Sequence, residues 1–252
     1  MLARRVFLDA HVHLHEFERK DVEDFVSTGM VLVAVSDDYE SSLKTLELRD
    51  SYPDSVVACV GVHPWKVPEN GVPADVLEVL IDLVRDADCV GEVGLDLKFV
   101  PKTFGAQAEV LRRLAEEAAR LGKPLNIHAA GAWRETLSLL EEVGRVSAIF
   151  HWYTGPEELL LLLRERGHLV TVNPALRVQR KHREIAAKLP EDLILLESDG
   201  PYDYRGLKLT PRMIPKLLEE LARLRGTSPD ALLTAVWKNF TRVFRRYSTG
   251  PP

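Results

Sequence analysis

Short apolar runs and longer amphipathic stretches alternate along the whole chain. Val6, Phe7 and Leu8 open a strand whose period-two alternation puts Asp9, His11 and His13 on one face and Leu8, Ala10 and Val12 on the other. DVEDFVSTG reads as a short helix closed by Gly29, and VLVAVS at 31–36 is apolar on both faces, as a parallel strand in a covered sheet requires. The pattern then repeats. A helix from Tyr39 to Arg49 precedes the strand VVACVGVHP, and the helix ADVLEVLIDLVRDA precedes the strand CVGEVGLD. From Gln107 to Leu121, Val110, Leu111, Leu114, Ala115, Ala118 and Leu121 fall on one helical stripe. Strand PLNIHAA, helix WRETLSLLEEVG, strand VSAIFHWY, helix PEELLLLLRERG, strand LVTVNPAL, a short helix around HREIAAKL and strand DLILLESDGP follow, making eight strands. Two terminal helices, TPRMIPKLLEELARLRG and SPDALLTAVWKNFTRVFRRY, carry Thr210 and Ser228 as expected caps with proline next to each. Residues 248–252 are expected to fray.

Eight β-then-α units without a Pro/Gly/Ser-rich linker predict an α/β chain forming a single (β/α)8 TIM barrel over residues 1–252. A doubly wound sheet would instead place a glycine-rich phosphate loop after the first strand, where DAHVHLHEF stands. Composition adds limits. A net charge of −5 removes the global basic field on which non-specific nucleic-acid binding depends, so any such contact must be local. No apolar stretch of membrane-spanning or signal-peptide length occurs, so the expectation is a cytoplasmic protein with no membrane contact, and no obligate protein partner is evident. Cys59 and Cys89 lie in Val-rich runs and are expected to be reduced, buried and inert.

In a barrel of this kind chemistry gathers at the C-terminal ends of the strands. His11 and His13 end the first strand and His63 the third; Glu92 and Asp96 sit on the fourth, His128 ends the fifth, His151 the sixth and Asp199 the eighth. His15, His168 and His182 fall outside this set and read as ordinary surface residues. One histidine at a strand end is usually a hydrogen-bonded core residue. Several imidazoles and carboxylates converging on one mouth are costly unless a cation holds them. Four histidines (His11, His13, His128 and His151) with two acids exceed what one tetrahedral zinc needs, which points to two divalent ions (Zn, Mn or Mg) with Glu92 best placed between them.

Eight segments carry a resemblance: FLDAHVH, GVHPW at 61–65, GEVGLDLKF at 91–99, the Phe104 to Gln107 pair, PLNIHA at 124–129, FHWYTG at 150–155, LLESDGPY at 195–202 and KNFTRVF at 238–244. In this order the chain resembles the TatD-type metal-dependent deoxyribonucleases, a branch of the amidohydrolase-like TIM barrels. The resemblance implies that His11, His13, Glu92 and Asp199 hold one ion, and Glu92, His128 and His151 the second. It implies hydrolysis of DNA phosphodiesters, exonuclease-like, by a hydroxide bridging the two ions, with Asp199 as general base. His63 would contact substrate phosphate or orient a ligand, Asp96 would support Glu92 by hydrogen bonding, and Asp9 would fix a histidine's orientation.

The sequence departs from the family pattern in places. The arginine usual after the strand-five histidine is replaced by AAGAW, strand seven carries VNPALRV, and Ser198 stands for a threonine. Phosphate would then be held by others, with Lys98 and Arg205 as first choices in a basic rim that also includes Lys102, Arg134, the run Arg177 to Arg183, and Lys208. Related barrels hydrolyse amides, lactones or phosphotriesters and bridge their metals with a carboxylated lysine. Here strand four offers Glu92 and no lysine until Lys98, which favours DNA over those substrates. A metal-stabilised binding scaffold without turnover is the third reading.

Overall fold

The computed structural model describes residues 6–244. Eight parallel strands, β1 (Leu8–Val12), β2 (Val31–Ala34), β3 (Val56–Val60), β4 (Cys89–Gly94), β5 (Leu125–His128), β6 (Ala148–Phe150), β7 (Leu169–Val172) and β8 (Ile194–Leu196), pair in sequential order. Every residue of these strands is buried, which is why they read as continuous apolar runs. Between them run α1 (Arg19–Ser27), α2 (Tyr39–Ser51), α3 (Ala74–Leu83), α4 (Phe104–Leu121), α5 (Trp133–Val143), α6 (Leu159–Glu165) and α7 (Arg180–Lys188), with α8 (Ile214–Arg225) and α9 (Pro229–Val243) at the end. The stripe predicted on α4 is the buried one, apart from half-buried Leu121, and Gly122 closes that helix in the left-handed conformation.

The barrel closes between its last strand and its first. Asp199 donates its backbone N–H to the His11 carbonyl at 3.0 Å, and His13 donates to Gly200 at 2.9 Å. Asp9 adds a side-chain staple, its Oδ1 accepting the Ser198 backbone N–H at 2.8 Å. These bonds hold His11 and His13 beside Asp199.

The structure departs from the sequence reading in several places. Cys59 and Cys89 form a disulfide, because the β3–β4 register sets them directly opposite with Cα atoms 4.4 Å apart, a pairing that their separation of 30 residues hides in the sequence. Ser228 caps α9 by accepting the Ala231 N–H, but Thr210 caps nothing, and its Oγ1 has no partner among the described residues. Pro211 opens a short 3-10 turn instead, and α8 starts at Ile214 with Pro215 in its first turn, where a missing N–H costs nothing. The segment after β8 forms a hairpin, β9 (Asp203–Tyr204) and β10 (Leu207–Lys208), turned by Arg205 and Gly206 at φ of 51° and 82°. His168 and His182 are not surface residues but buried at 4% and 1% exposure. The expected fraying of residues 248–252 lies outside the described residues, among which no helix is long and apolar enough to cross a membrane.

These two histidines are neutral by construction. His182 accepts the Asn173 N–H at Nε2 and donates from Nδ1 to the Tyr153 carbonyl, while His168 Nδ1 accepts from Ala148. Burial pushes both down to about 4 from an ordinary 6.5. The native state therefore binds fewer protons than the unfolded chain, and stability present above pH 6.5 is lost as pH falls towards 4. Each group contributes on the order of 3 kcal/mol to that loss. Denaturant unfolding of the His182→Gln variant at pH 7, 5 and 4 is expected to show a shallower pH dependence than the native chain; parallel curves would remove His182 as a source.

Candidate metal centre

Strand geometry alone brings the polar cluster together. His11 on β1 and His13 just past its end both turn to the mouth; β4 lifts Glu92 between Gly91 and Gly94; β5 and β6 end at His128 and at the residue before His151. Gly94 has a structural task, since a Cβ there would collide with the His128 carbonyl and push β4 off β5. Asp199 turns inward from a left-handed backbone at φ 57°, a conformation that aspartate tolerates better than most residues.

The carboxylate of Glu92 lies at 1% exposure with its two oxygens facing different partners. Oε2 is 3.2 Å from His11 Nε2 and 3.3 Å from His13 Nε2, and Asp199 Oδ1 is 3.4 and 3.6 Å from the same nitrogens. Oε1 is 2.8 Å from His128 Nδ1 and 3.0 Å from His151 Nε2. His63 Nε2 stands 3.3 Å from Oε1, but its Nδ1 accepts the Trp65 N–H, so Nε2 carries the proton and donates to Glu92. His63 is thus placed to orient the carboxylate.

Each of the other four imidazoles is backed by a buried or half-buried acceptor. Asn126 donates from Nδ2 to the Ala10 carbonyl, which turns its Oδ1 towards His11 Nδ1 at 2.8 Å and leaves the His11 Nε2 lone pair facing the centre. Asp37 Oδ1 lies 3.1 Å from His13 Nδ1, Asp96 Oδ2 3.0 Å from His128 Nε2, and Glu197 Oε1 3.8 Å from His151 Nδ1. Acceptors behind a metal-binding histidine select its tautomer and raise its basicity.

Charge gives the same answer. Burial pushes Glu92 up, yet His63, His151 and His11 outweigh it and hold the acid well below its usual range. Burial and neighbouring His151 push His11 down, but Glu92 and Asp199 raise it to about 9. His11 Nε2 and Glu92 Oε2 are buried without a hydrogen-bond partner among the described residues. Between His11 Nε2 and Glu92 Oε2, 3.2 Å apart, one positive charge is held, a proton or the divalent ion that would displace it, and nitrogen with oxygen donors suits that ion. The six residues fit the metals that the sequence implies.

Several assigned roles change. Asp9 touches no imidazole; it accepts the His11 and Ser198 backbone N–H groups, and Asn126 holds His11 in its place. Asp96 supports His128 rather than Glu92, and also accepts from the Trp65 indole at 2.6 Å. His15, expected at the surface, is half-buried and faces Asp37 Oδ2 at 3.3 Å. Three members of the basic rim are paired with acids: Arg134 with Glu158, Arg177 with Glu220 and Arg180 with Glu184. Lys98 lines the cleft above the centre, whereas Arg205 flanks it, stacked on Tyr204 and donating to the Val178 carbonyl. Asn126, Asp37 and Glu197 were missed, although Asn126 and Glu197 stand two residues before His128 and Asp199, and period-two counting would have put them on the same face.

A closed barrel with a histidine–carboxylate centre at its C-terminal mouth defines a class of metal-centred barrels. The TatD-related DNase family model matches residues 8–245, and the chain belongs to that family. An uncharacterised metal-dependent hydrolase of Methanocaldococcus jannaschii is 25% identical, over 95% of this chain and 97% of its own. The human deoxyribonuclease TATDN3 is 27% identical over 94% of each. Among solved structures, a TatD homologue from Escherichia coli superposes with a TM-score of 0.82 at 22% identity, covering 97% of this chain and 99% of its own.

Replacing Asp96 by Asn is expected to weaken divalent-metal binding roughly 10- to 100-fold, the usual cost of losing an acceptor behind a ligand. Asp9→Asn, which keeps an oxygen for the two backbone donors, should stay within a few-fold of the native affinity. Chelator competition with manganese measures both, and the reverse order would overturn these roles.

Proposed function

We propose that this protein is a divalent-metal-dependent phosphodiesterase that hydrolyses DNA, removing nucleotides from a strand end, and that it works in the cytoplasm as one barrel domain spanning residues 1–252. The observation that carries the reading is the division of Glu92 between two groups of ligands, with His11, His13 and Asp199 at one oxygen and His128 and His151 at the other. Family membership and the human relative's deoxyribonuclease activity favour DNA as substrate. Two divalent ions (Zn, Mn or Mg) held there would supply an acidified water and positive charge at the phosphoryl oxygens.

The chain's own groups do the rest. Asp199 meets the imidazoles through Oδ1, and its other oxygen takes the proton of the attacking water. His11 and His13 hold Asp199 ionised against its burial. His63 and the acceptors behind each ligand keep the donor atoms aimed before substrate arrives, so reaction requires little reorganisation. Lys98 on the cleft wall offers the ammonium that the missing arginine would have supplied. Amide, lactone or phosphotriester hydrolysis is less well supported, because no lysine sits on β4 to bridge two ions.

End-labelled single-stranded DNA, a dihydropyrimidine and a lactone, each incubated with metal-loaded protein with and without chelator, test the substrate class. Only the DNA should be consumed, and only without chelator. Glu92→Ala should lose metal binding and about 10³-fold or more of the activity, the scale expected when a principal electrostatic element is removed. Near-normal cleavage in that variant would sink the binuclear centre, and loss of no substrate at all would leave a binding scaffold.

A further inference from the structure

Three exposed aromatic side chains surround the metal centre and are unused by the chemistry above. Trp65, Phe99 and Tyr202 are exposed at 47%, 57% and 45%, and all three line one cleft of about 390 Å³ with His13, Glu92, His128, His151 and Asp199. Among the described residues the remaining large exposed aromatic is Tyr39, so exposure of this kind is concentrated at the mouth. Apolar surface gathered around a polar centre marks a binding site.

The aromatics form two groups on opposite sides. Trp65 and Phe99 follow β3 and β4, with rings edge to face at 5.7 Å; Tyr202 and Tyr204 follow β8, inclined by 29° at 6.3 Å. With strands in sequential order around the barrel, β4 and β8 face each other across the mouth, and the ligands lie between. Trp65 is anchored by its indole N–H on Asp96, the residue that also backs His128. Tyr204 rests against Trp152 at 4.8 Å. Each group carries one cation, Lys98 Nζ 4.7 Å over Phe99 and the Arg205 guanidinium 5.2 Å over Tyr204.

Resting on the phosphodiesterase reading, we propose that this cleft holds unpaired DNA by its bases. The base on one side of the scissile phosphate stacks on the Trp65–Phe99 group, and the base on the other side on the Tyr202–Tyr204 group. A net charge of −5 makes a long phosphate track a poor source of affinity, so stacking supplies most of it. Bases in a duplex present only edges, and their faces are covered by neighbours. An aromatic clamp therefore selects unpaired nucleotides without reading their identity, since every base has a face.

Fluorescence anisotropy with metal-loaded protein and a labelled 12-nucleotide strand tests this, alongside an otherwise identical strand whose two terminal nucleotides are abasic analogues. The native protein should bind the abasic strand roughly 5- to 100-fold more weakly per base removed. Phe99→Ala and Tyr202→Ala should each weaken the base-bearing strand by a similar factor, and the effects of variant and base removal should not add. Leu161→Ala, on α6 outside the cleft, should bind both strands as the native chain does. With Lys98 and Arg205 as the contributing cations, log Kd should rise with log salt with a slope of about 1.4. Equal binding of both strands, or a slope above about 4, overturns the clamp. Chelator-sensitive cleavage is followed in the same samples: base-dependent binding without cleavage overturns the phosphodiesterase reading and leaves the clamp standing, and cleavage without base dependence does the opposite.

Discussion

A single buried carboxylate organises this molecule. Glu92 is surrounded by His11, His13, His63, His128 and His151, all within 3.3 Å of one of its oxygens. An isolated carboxylate in such a place would be expelled or neutralised, and five imidazoles without positive charge could not keep it ionised. The site is therefore stable only as a charged unit, and β1, β3, β4, β5, β6 and β8 must each deliver their group accurately for it to exist. Close packing of β4 on β5, permitted by Gly94, and the bonds between β8 and β1 serve that delivery.

The acceptors behind the ligands extend the same logic outward. Asn126, Asp37, Asp96 and Glu197 come from four different strands or strand ends; Asn126 and Asp96 hydrogen-bond the outward nitrogens of His11 and His128, and Asp37 and Glu197 place negative charge behind His13 and His151. Surface electrostatics play a smaller part. Arg134, Arg177 and Arg180 spend their charge on neighbouring acids, and the mouth carries a surplus of aromatic surface.

Much of this was legible in the amino-acid order because barrels separate their signals cleanly. Buried parallel strands give unbroken apolar runs such as Val31–Ala34, helices give stripes such as that of α4, and ligands sit where one changes to the other. What escaped depends on pairing across strands. Cys59 and Cys89 looked inert because register, not local composition, brings them together. His168 and His182 carried no strand-end signal, yet tertiary packing buried them. Asp9 shared a face with His11, so it passed for a ligand's support, but its oxygen meets backbone rather than imidazole. The short hairpin at 203–208 has two-residue strands, too brief for alternation to show.

The staple between Asp9 and Ser198 has an implication for the order in which the protein is made. His11 and His13 are synthesised well before the segment that Asp9 grips, since Ser198 lies 189 positions after Asp9. Until that segment arrives, the early histidines lack both Asp199 and the strand end that positions them. A chain ended before it thus carries most of the polar cluster but no finished centre. The centre is thus a property of the closed ring, formed only when the end of the eighth strand has joined the first.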